Sequence, residues 1–145
     1  MITVIDYGMG NLHSVKNALD FLGIENEITP DAEKIKKADA LILPGVGAFP
    51  DAMRTLESKG LDAIIKEKCS TGTPLLGICL GMQLLVCSSQ EVEFTGGLGL
   101  IKGKCEKITD TGLKIPHMGW NDLVVDKPDC PLLKYTNNGD YVYFI

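Results

Sequence analysis

The sequence is short of basic residues. Lys and Arg number 14 against 19 Asp and Glu, and the net charge is -5. A nucleic-acid binder needs a basic footprint to neutralise phosphates, so that class is set aside. Long hydrophobic runs are also missing. None approaches the ~20 residues of a membrane span. The first ten residues carry Asp6 and no Lys or Arg, which does not read as a signal peptide. The five cysteines (69, 79, 87, 105 and 130) are odd in number and contain no Cys-x-x-Cys pair. That argues against a disulfide framework and against a four-Cys zinc site. Reduced thiols in a cytoplasm, with no metal, are the expectation. Internal repeats, linkers and low-complexity tracts are missing too.

What is present suits one globular domain over residues 1–145. Hydrophobic residues make up 45% and charged residues 23%, ordinary usage for a chain with a real core. Ile2–Asp6 is a short β-branched run, followed by a Gly8-Met-Gly10 turn. Asn11 can cap a helix whose apolar residues Leu12, Val15, Ala18, Leu19 and Leu22 recur at helical spacing. Gly23 can end it. A second strand is predicted over 24–29 and a short charged helix from Pro30-Asp31. A third strand, 40–43, runs into Pro44-Gly-Val-Gly47. A helical stretch over 50–68, broken at Gly60, precedes a fourth strand at 73–78, and helix is expected over 80–87. The β-α-β-α rhythm predicts a mostly parallel sheet with helices on both faces. After Gln90 glycines cluster, and short β-like runs are expected at 104–109, 122–126 and 141–145.

Chemistry concentrates at Leu75-Leu-Gly-Ile-Cys79-Leu-Gly-Met-Gln83. Gly-x-Cys-x-Gly between a buried strand and a helix is a nucleophile-elbow arrangement with sulfur in place of a hydroxyl. The helix N-terminus there favours a thiolate and offers N–H groups to a developing oxyanion. The plainer alternative is a small buried cysteine beside packing glycines. Pro44-Gly-Val-Gly47 ends a strand at the same edge, where open α/β sheets bind ligands. Gly47 can place a backbone N–H beside Cys79, or mark an ordinary βα turn. Gly8 and Gly10 begin a dinucleotide fingerprint, but His13 stands where its third glycine belongs. No cofactor is expected. A thiol nucleophile calls for a base, and only His13 and His117 are available. His13 reads as a solvated helix residue. His117 reads as a base or as a structural or interface histidine.

The elbow around Cys79 resembles that of class I, triad-type glutamine amidotransferases. Asp6-Tyr-Gly-Met-Gly-Asn11, Pro44-Gly-Val-Gly-Ala-Phe49, Gly97-Leu-Gly-Leu-Ile-Lys-Gly103 and Lys114-Ile-Pro-His-Met-Gly-Trp-Asn121 narrow the likeness. Together they resemble the glutaminase subunits of imidazole glycerol phosphate synthase, and the likeness runs from Met1 to Ile145. The resemblance implies a flavodoxin-like α/β fold. It implies hydrolysis of glutamine to glutamate, with ammonia passed to a (β/α)8-barrel cyclase in a heterodimer of histidine biosynthesis. It makes Cys79 the nucleophile and puts Leu80 and Gly47 in the oxyanion region. Gly47, Gln83 and Glu91 hold substrate, and Asn11, His117, Trp120 and Asn121 face the cyclase.

One departure stands out. The family's triad also takes a His and a Glu from a His-Pro-Glu segment near its C-terminus, and this sequence contains none. It stops inside the apolar run Tyr141-Val-Tyr-Phe-Ile145. The expectation is an N-terminal portion of the domain, with little or no glutaminase activity alone and an exposed sheet edge prone to self-association. Two other functions stay open. One is a non-catalytic module that docks on a barrel partner. The other is a Cys-dependent hydrolase using His117 as base.

Overall fold

In the computed structural model residues 1–109, 112 and 114–145 are described. They form two compact units, Met1–Lys107 and Ile108–Ile145. In the first, β1 (Ile2–Ile5), β2 (Asn26–Thr29), β3 (Ala40–Gly45) and β4 (Leu75–Cys79) make an all-parallel sheet in the order β2-β1-β3-β4. The chain winds outward from β1 to β2, then crosses back to β3 on the other side. That reversal makes the carboxyl ends of β1 and β3 the topological switch point, the edge at which doubly wound sheets bind ligands.

Alternation along the strands sorts the core into two layers. Val4 and Ile42 point to one face and pack with Leu19 of α1 (Leu12–Phe21). Ile5, Leu41 and Leu43 point to the other. There they meet Ile35 of α2 (Ala32–Lys37), Met53 and Leu56 of α3 (Phe49–Ser58), and Leu61 and Ile65 of α4 (Leu61–Ser70). Fully burying each such side chain contributes about 1.5–3 kcal/mol. Helices therefore cover both faces, as the rhythm of the sequence predicts.

The helix boundaries follow local chemistry. Asn11 Oδ1 accepts from the Ser14 N–H at 3.2 Å and caps α1. Asp31 caps α2 by accepting from the N–H groups of Glu33 and Lys34. Lys34, Lys36 and Lys37 sit in that helix's last turn, where cations suit the dipole. Gly60 at φ 65 separates α3 from α4.

One expectation fails in an informative way. The helix predicted over 80–87 is a single turn, α5 (Leu80–Gln83). From Val86 the chain is strand: β5 (Val86–Ser89) pairs with β6 (Thr95–Gly96) and runs parallel to β7 (Ile101–Cys105). Pairing on both sides of Val86-Cys-Ser-Ser overrides a helix-compatible apolar pattern. The run expected at 104–109 begins earlier for the same reason, since β7 follows β5 from Val86↔Ile101 onward.

Strand β4 ends the main sheet. Its Leu76 and Ile78 are opposite Ile42 and Pro44 in register, on the α1 side, and are 39% and 38% exposed. In the second unit β8 (Gly119–Asp122) pairs antiparallel with β9 (Tyr141–Phe144). The strand expected at 122–126 is shifted to 119–122, where Trp120 meets Tyr143 edge-on at 5.6 Å. Among the described residues no helix is long and apolar enough to cross a membrane.

Candidate active site

Strands β3 and β4 deliver two segments to the same sheet edge. Gly45 and Cys79 are cross-strand partners at their carboxyl ends. Beyond Gly45 the chain runs through Gly47, at φ +91, into buried Phe49. Cys79 is exposed. Its backbone sits at φ 55, ψ -120, a conformation that disfavours any residue with a Cβ. Such strain persists only where the surroundings enforce it, and it clusters at functional sites.

The surroundings here are glycines. A Cβ on Gly77 would lie 2.5 Å from Met82 Cα. One on Gly81 would lie 1.8 Å from the Leu43 carbonyl oxygen, and one on Gly45 would lie 2.7 Å from the Gly81 nitrogen. All three obstacles are backbone and cannot swing aside. Gly-x-Cys-x-Gly is thus the pattern that lets α5 start directly against β3. The tight turn leaves Cys79 at its apex, and the N–H of Leu80 follows at once in the first turn, where helix donors lack intrahelical partners.

Gln83, one turn after Cys79, borders a cavity of about 380 Å³ with Ser89, Glu91, Cys105 and Lys107. The structure therefore brings two of the expected substrate residues, Gln83 and Glu91, to one cavity. Cys79 lies outside its lining. Burial, with the Glu91 charge second, pushes the Cys105 thiol up. Burial alone does the same for Cys69.

Other expected residues have visible local partners. Asn11 caps α1. In the second unit His117 Nε2 lies 3.4 Å from Asn121 Oδ1, and its ring is 5.4 Å from Phe144. Trp120 is 67% exposed. His13 is an exposed residue of α1.

Two features escape sequence reasoning. The Glu91 carboxylate accepts the Phe49 N–H at 2.9 Å across 42 residues of chain. No local spacing signals that contact. Tyr7 is wholly buried against Gly45 and its hydroxyl has no hydrogen-bond partner. Burial pushes it up to about 12. A Tyr just past a short strand and before Gly8 reads equally well as an exposed turn residue.

The family model described as "Glutamine amidotransferase class-I" matches residues 3–144. The "Imidazole glycerol phosphate synthase subunit HisH" of Listeria monocytogenes serotype 4a is 52% identical, over 100% of this chain and 69% of that protein. The subunit of the same name in Caldanaerobacter subterraneus subsp. tengcongensis is 54% identical, over 100% of this chain and 70% of its own. A solved structure described as "Crystal structure of glutamine amidotransferase" superposes with a TM-score of 0.76 at 21% identity. It covers 99% of this chain and 70% of that one, a likeness of fold. The chain belongs to the class-I glutamine amidotransferase family, among the imidazole glycerol phosphate synthase subunits HisH.

Proposed function

We propose that this chain is the glutaminase subunit of an imidazole glycerol phosphate synthase. It acts in the cytoplasm, in histidine biosynthesis, and residues 1–145 belong to one amidotransferase domain. Its partner is a cyclase with a (β/α)8 barrel, and the two form a heterodimer. The observation that carries this proposal is Cys79 itself, exposed at φ 55 on a strand–turn–helix elbow and opposite Gly45 in register.

In the proposed reaction Cys79 Sγ attacks the carboxamide carbon of glutamine. The carbonyl oxygen becomes an oxyanion, held by the N–H of Leu80 and one from the Gly47 region. The C–N bond then breaks. The amide nitrogen takes up the proton lost by the Cys79 thiol and leaves as ammonia, and a glutamyl thioester remains. Water cleaves the thioester, releasing glutamate and regenerating the thiol. Gln83 and Glu91 hold the substrate from their shared cavity. Asn11, His117, Trp120 and Asn121 meet the cyclase, for which the exposed indole of Trp120 is suited.

Proton transfer to the leaving nitrogen needs an acid–base group. The 145 residues hold two histidines and no His-Pro-Glu. A polypeptide of these residues alone is therefore expected to label with a glutamine-like electrophile yet turn over little glutamine. The test is a glutamine chloroketone followed by peptide mapping. Selective labelling of Cys79, blocked by glutamine, supports the proposal. Equal labelling of Cys79 and the exposed Cys87, with no protection by glutamine, overturns it.

A further inference from the structure

We propose that Glu91 is a positioning residue that sets the Gly45–Phe49 backbone opposite Cys79, beyond any contact it makes with substrate. The inference rests on the glutaminase proposal above for its chemistry, but its geometry stands independently.

The first turn of α3 lacks a cap of its own. The residue before it is Ala48, which offers no side-chain acceptor. Phe49 is wholly buried, so its N–H needs a partner from within the protein. Glu91 supplies it, with Oε2 2.9 Å from the nitrogen. A carboxylate at a helix N-terminus is a charge-assisted contact, stronger than one between neutral groups. The same residue is held from behind. Its N–H donates to Ser89 Oγ at 3.0 Å, and Ser89 is buried.

The next residue shows that the arrangement is imposed. Val92 has φ 63, and the Glu93 N–H reaches back to the Glu91 carbonyl at 2.6 Å. That is a γ-turn of the rare, strained hand, centred on a β-branched residue. Val92 is 84% exposed, so its own packing does not offset the strain. The ends of the turn hold it instead. Glu91 caps α3, and Glu93 pairs with Arg54 of the same helix at 2.9 Å. The exposed Arg54 pair is the weaker anchor. Phe49 is also gripped by its ring, since a Cβ on Gly97, just past β6, would lie 3.2 Å from Phe49 Cζ.

Phe49 is two residues beyond Gly47. Fixing its N–H fixes the end of the glycine loop that is opposite Cys79 across β3 and β4. Glu91 also borders the cavity, so one carboxylate touches both the loop anchor and the space for substrate.

The test separates this role from simple binding of the substrate ammonium. Two electrophiles are used, glutamine chloroketone and its analogue lacking the α-amino group. Both form a tetrahedral oxyanion on Cys79, but only one carries the cation. The protein is compared with Glu91→Ala and Glu91→Gln, with iodoacetamide alkylation of Cys79 as the control for folding and exposure. Positioning predicts that Glu91→Ala slows both chloroketones about tenfold. That is less than the roughly 10²–10³ lost when an oxyanion donor is deleted outright. Glu91→Gln, which keeps an acceptor for Phe49, restores most of the rate with the analogue. Amide hydrogen exchange at Phe49 rises in Glu91→Ala. Slowing confined to the ammonium-bearing probe, or unchanged exchange at Phe49, overturns the proposal. Failure of both probes on the unsubstituted protein overturns the glutaminase assignment instead, and the Phe49 exchange measurement then decides the positioning role alone.

Discussion

Gly81→Ala sets two effects of opposite sign against each other. Position 81 lies inside α5, where alanine is favoured over glycine by about 1 kcal/mol on helix propensity alone. Sterics oppose that gain. A Cβ there would lie 1.8 Å from the Leu43 carbonyl oxygen and 2.7 Å from its carbon. Leu43 is a central residue of β3, wholly buried and paired in register with Gly77. Its carbonyl cannot rotate without breaking the sheet. Overpacking a core costs about 1–3 kcal/mol, occasionally more, and overlap with strand backbone belongs at the upper end. The net expectation is destabilisation of about 2 kcal/mol. For a chain of this size, that lowers Tm by about 4–8 °C.

Thermal unfolding followed by circular dichroism reads the effect. Gly96→Ala is the control, because a Cβ at position 96 meets nothing within 4 Å. It is expected to stay within about 0.5 kcal/mol of the unsubstituted protein. Glutamine-chloroketone labelling of Cys79 is measured alongside, since pushing α5 off β3 displaces the Leu80 N–H. A Gly81→Ala protein that melts at or above the original temperature would refute the steric account of the elbow. Propensity would then have won, and the second glycine of Gly-x-Cys-x-Gly would need another explanation.

Three further outcomes follow from the same structure. Cys79→Gly relieves about 1–3 kcal/mol of backbone strain against about 0.5–1 kcal/mol of glycine entropy; Tm is expected to rise by about 2–4 °C while covalent labelling is lost, and a lower Tm contradicts strain at φ 55. The buried Tyr7 hydroxyl keeps its proton up to about 12, whereas an unfolded tyrosine releases it near 10. Native chain then binds more protons than unfolded chain between these values, so stability falls as pH rises through that window. Tyr7→Phe should flatten the fall in a urea titration repeated from pH 9 to 11. Burial raises the thiols of Cys69 and Cys105, so iodoacetamide at pH 7.5 is expected to map first to the exposed Cys79 and Cys87. Early modification of Cys105 would show its cavity to be open.

How much of this was legible in the sequence depends on the range of each interaction. The elbow was legible because its cause is local. Strand, strained turn and helix start occupy seven residues, and the glycines at 77 and 81 are demanded by backbone at 2.5 Å and 1.8 Å. The four parallel strands were legible because alternate residues face two covered layers. Asn11, Asp31 and Gly60 punctuate helices by contacts within a turn. The expected helix over 80–87 gives way to strand because the rival to a helical Val86–Ser89 is pairing with residues 95–96 and 101–105. That pairing has no local signature.

The same limit applies to Glu91, and there it reaches function. Resemblance places Glu91 at the substrate, and in the structure it borders a cavity together with Gln83. Only the folded chain joins it to the Phe49 N–H, 42 residues away. A carboxylate engaged on one side by the first N–H of α3 is not free to reorient toward substrate alone. Binding at the cavity and placement of the glycine loop then become linked through a single side chain. Any differential contact that substrate makes with Glu91 must act equally on the loop, because such coupling is reciprocal. The rate of Cys79 with a probe that never touches Glu91 is therefore the quantity that separates a residue that grips substrate from one that also aligns the site.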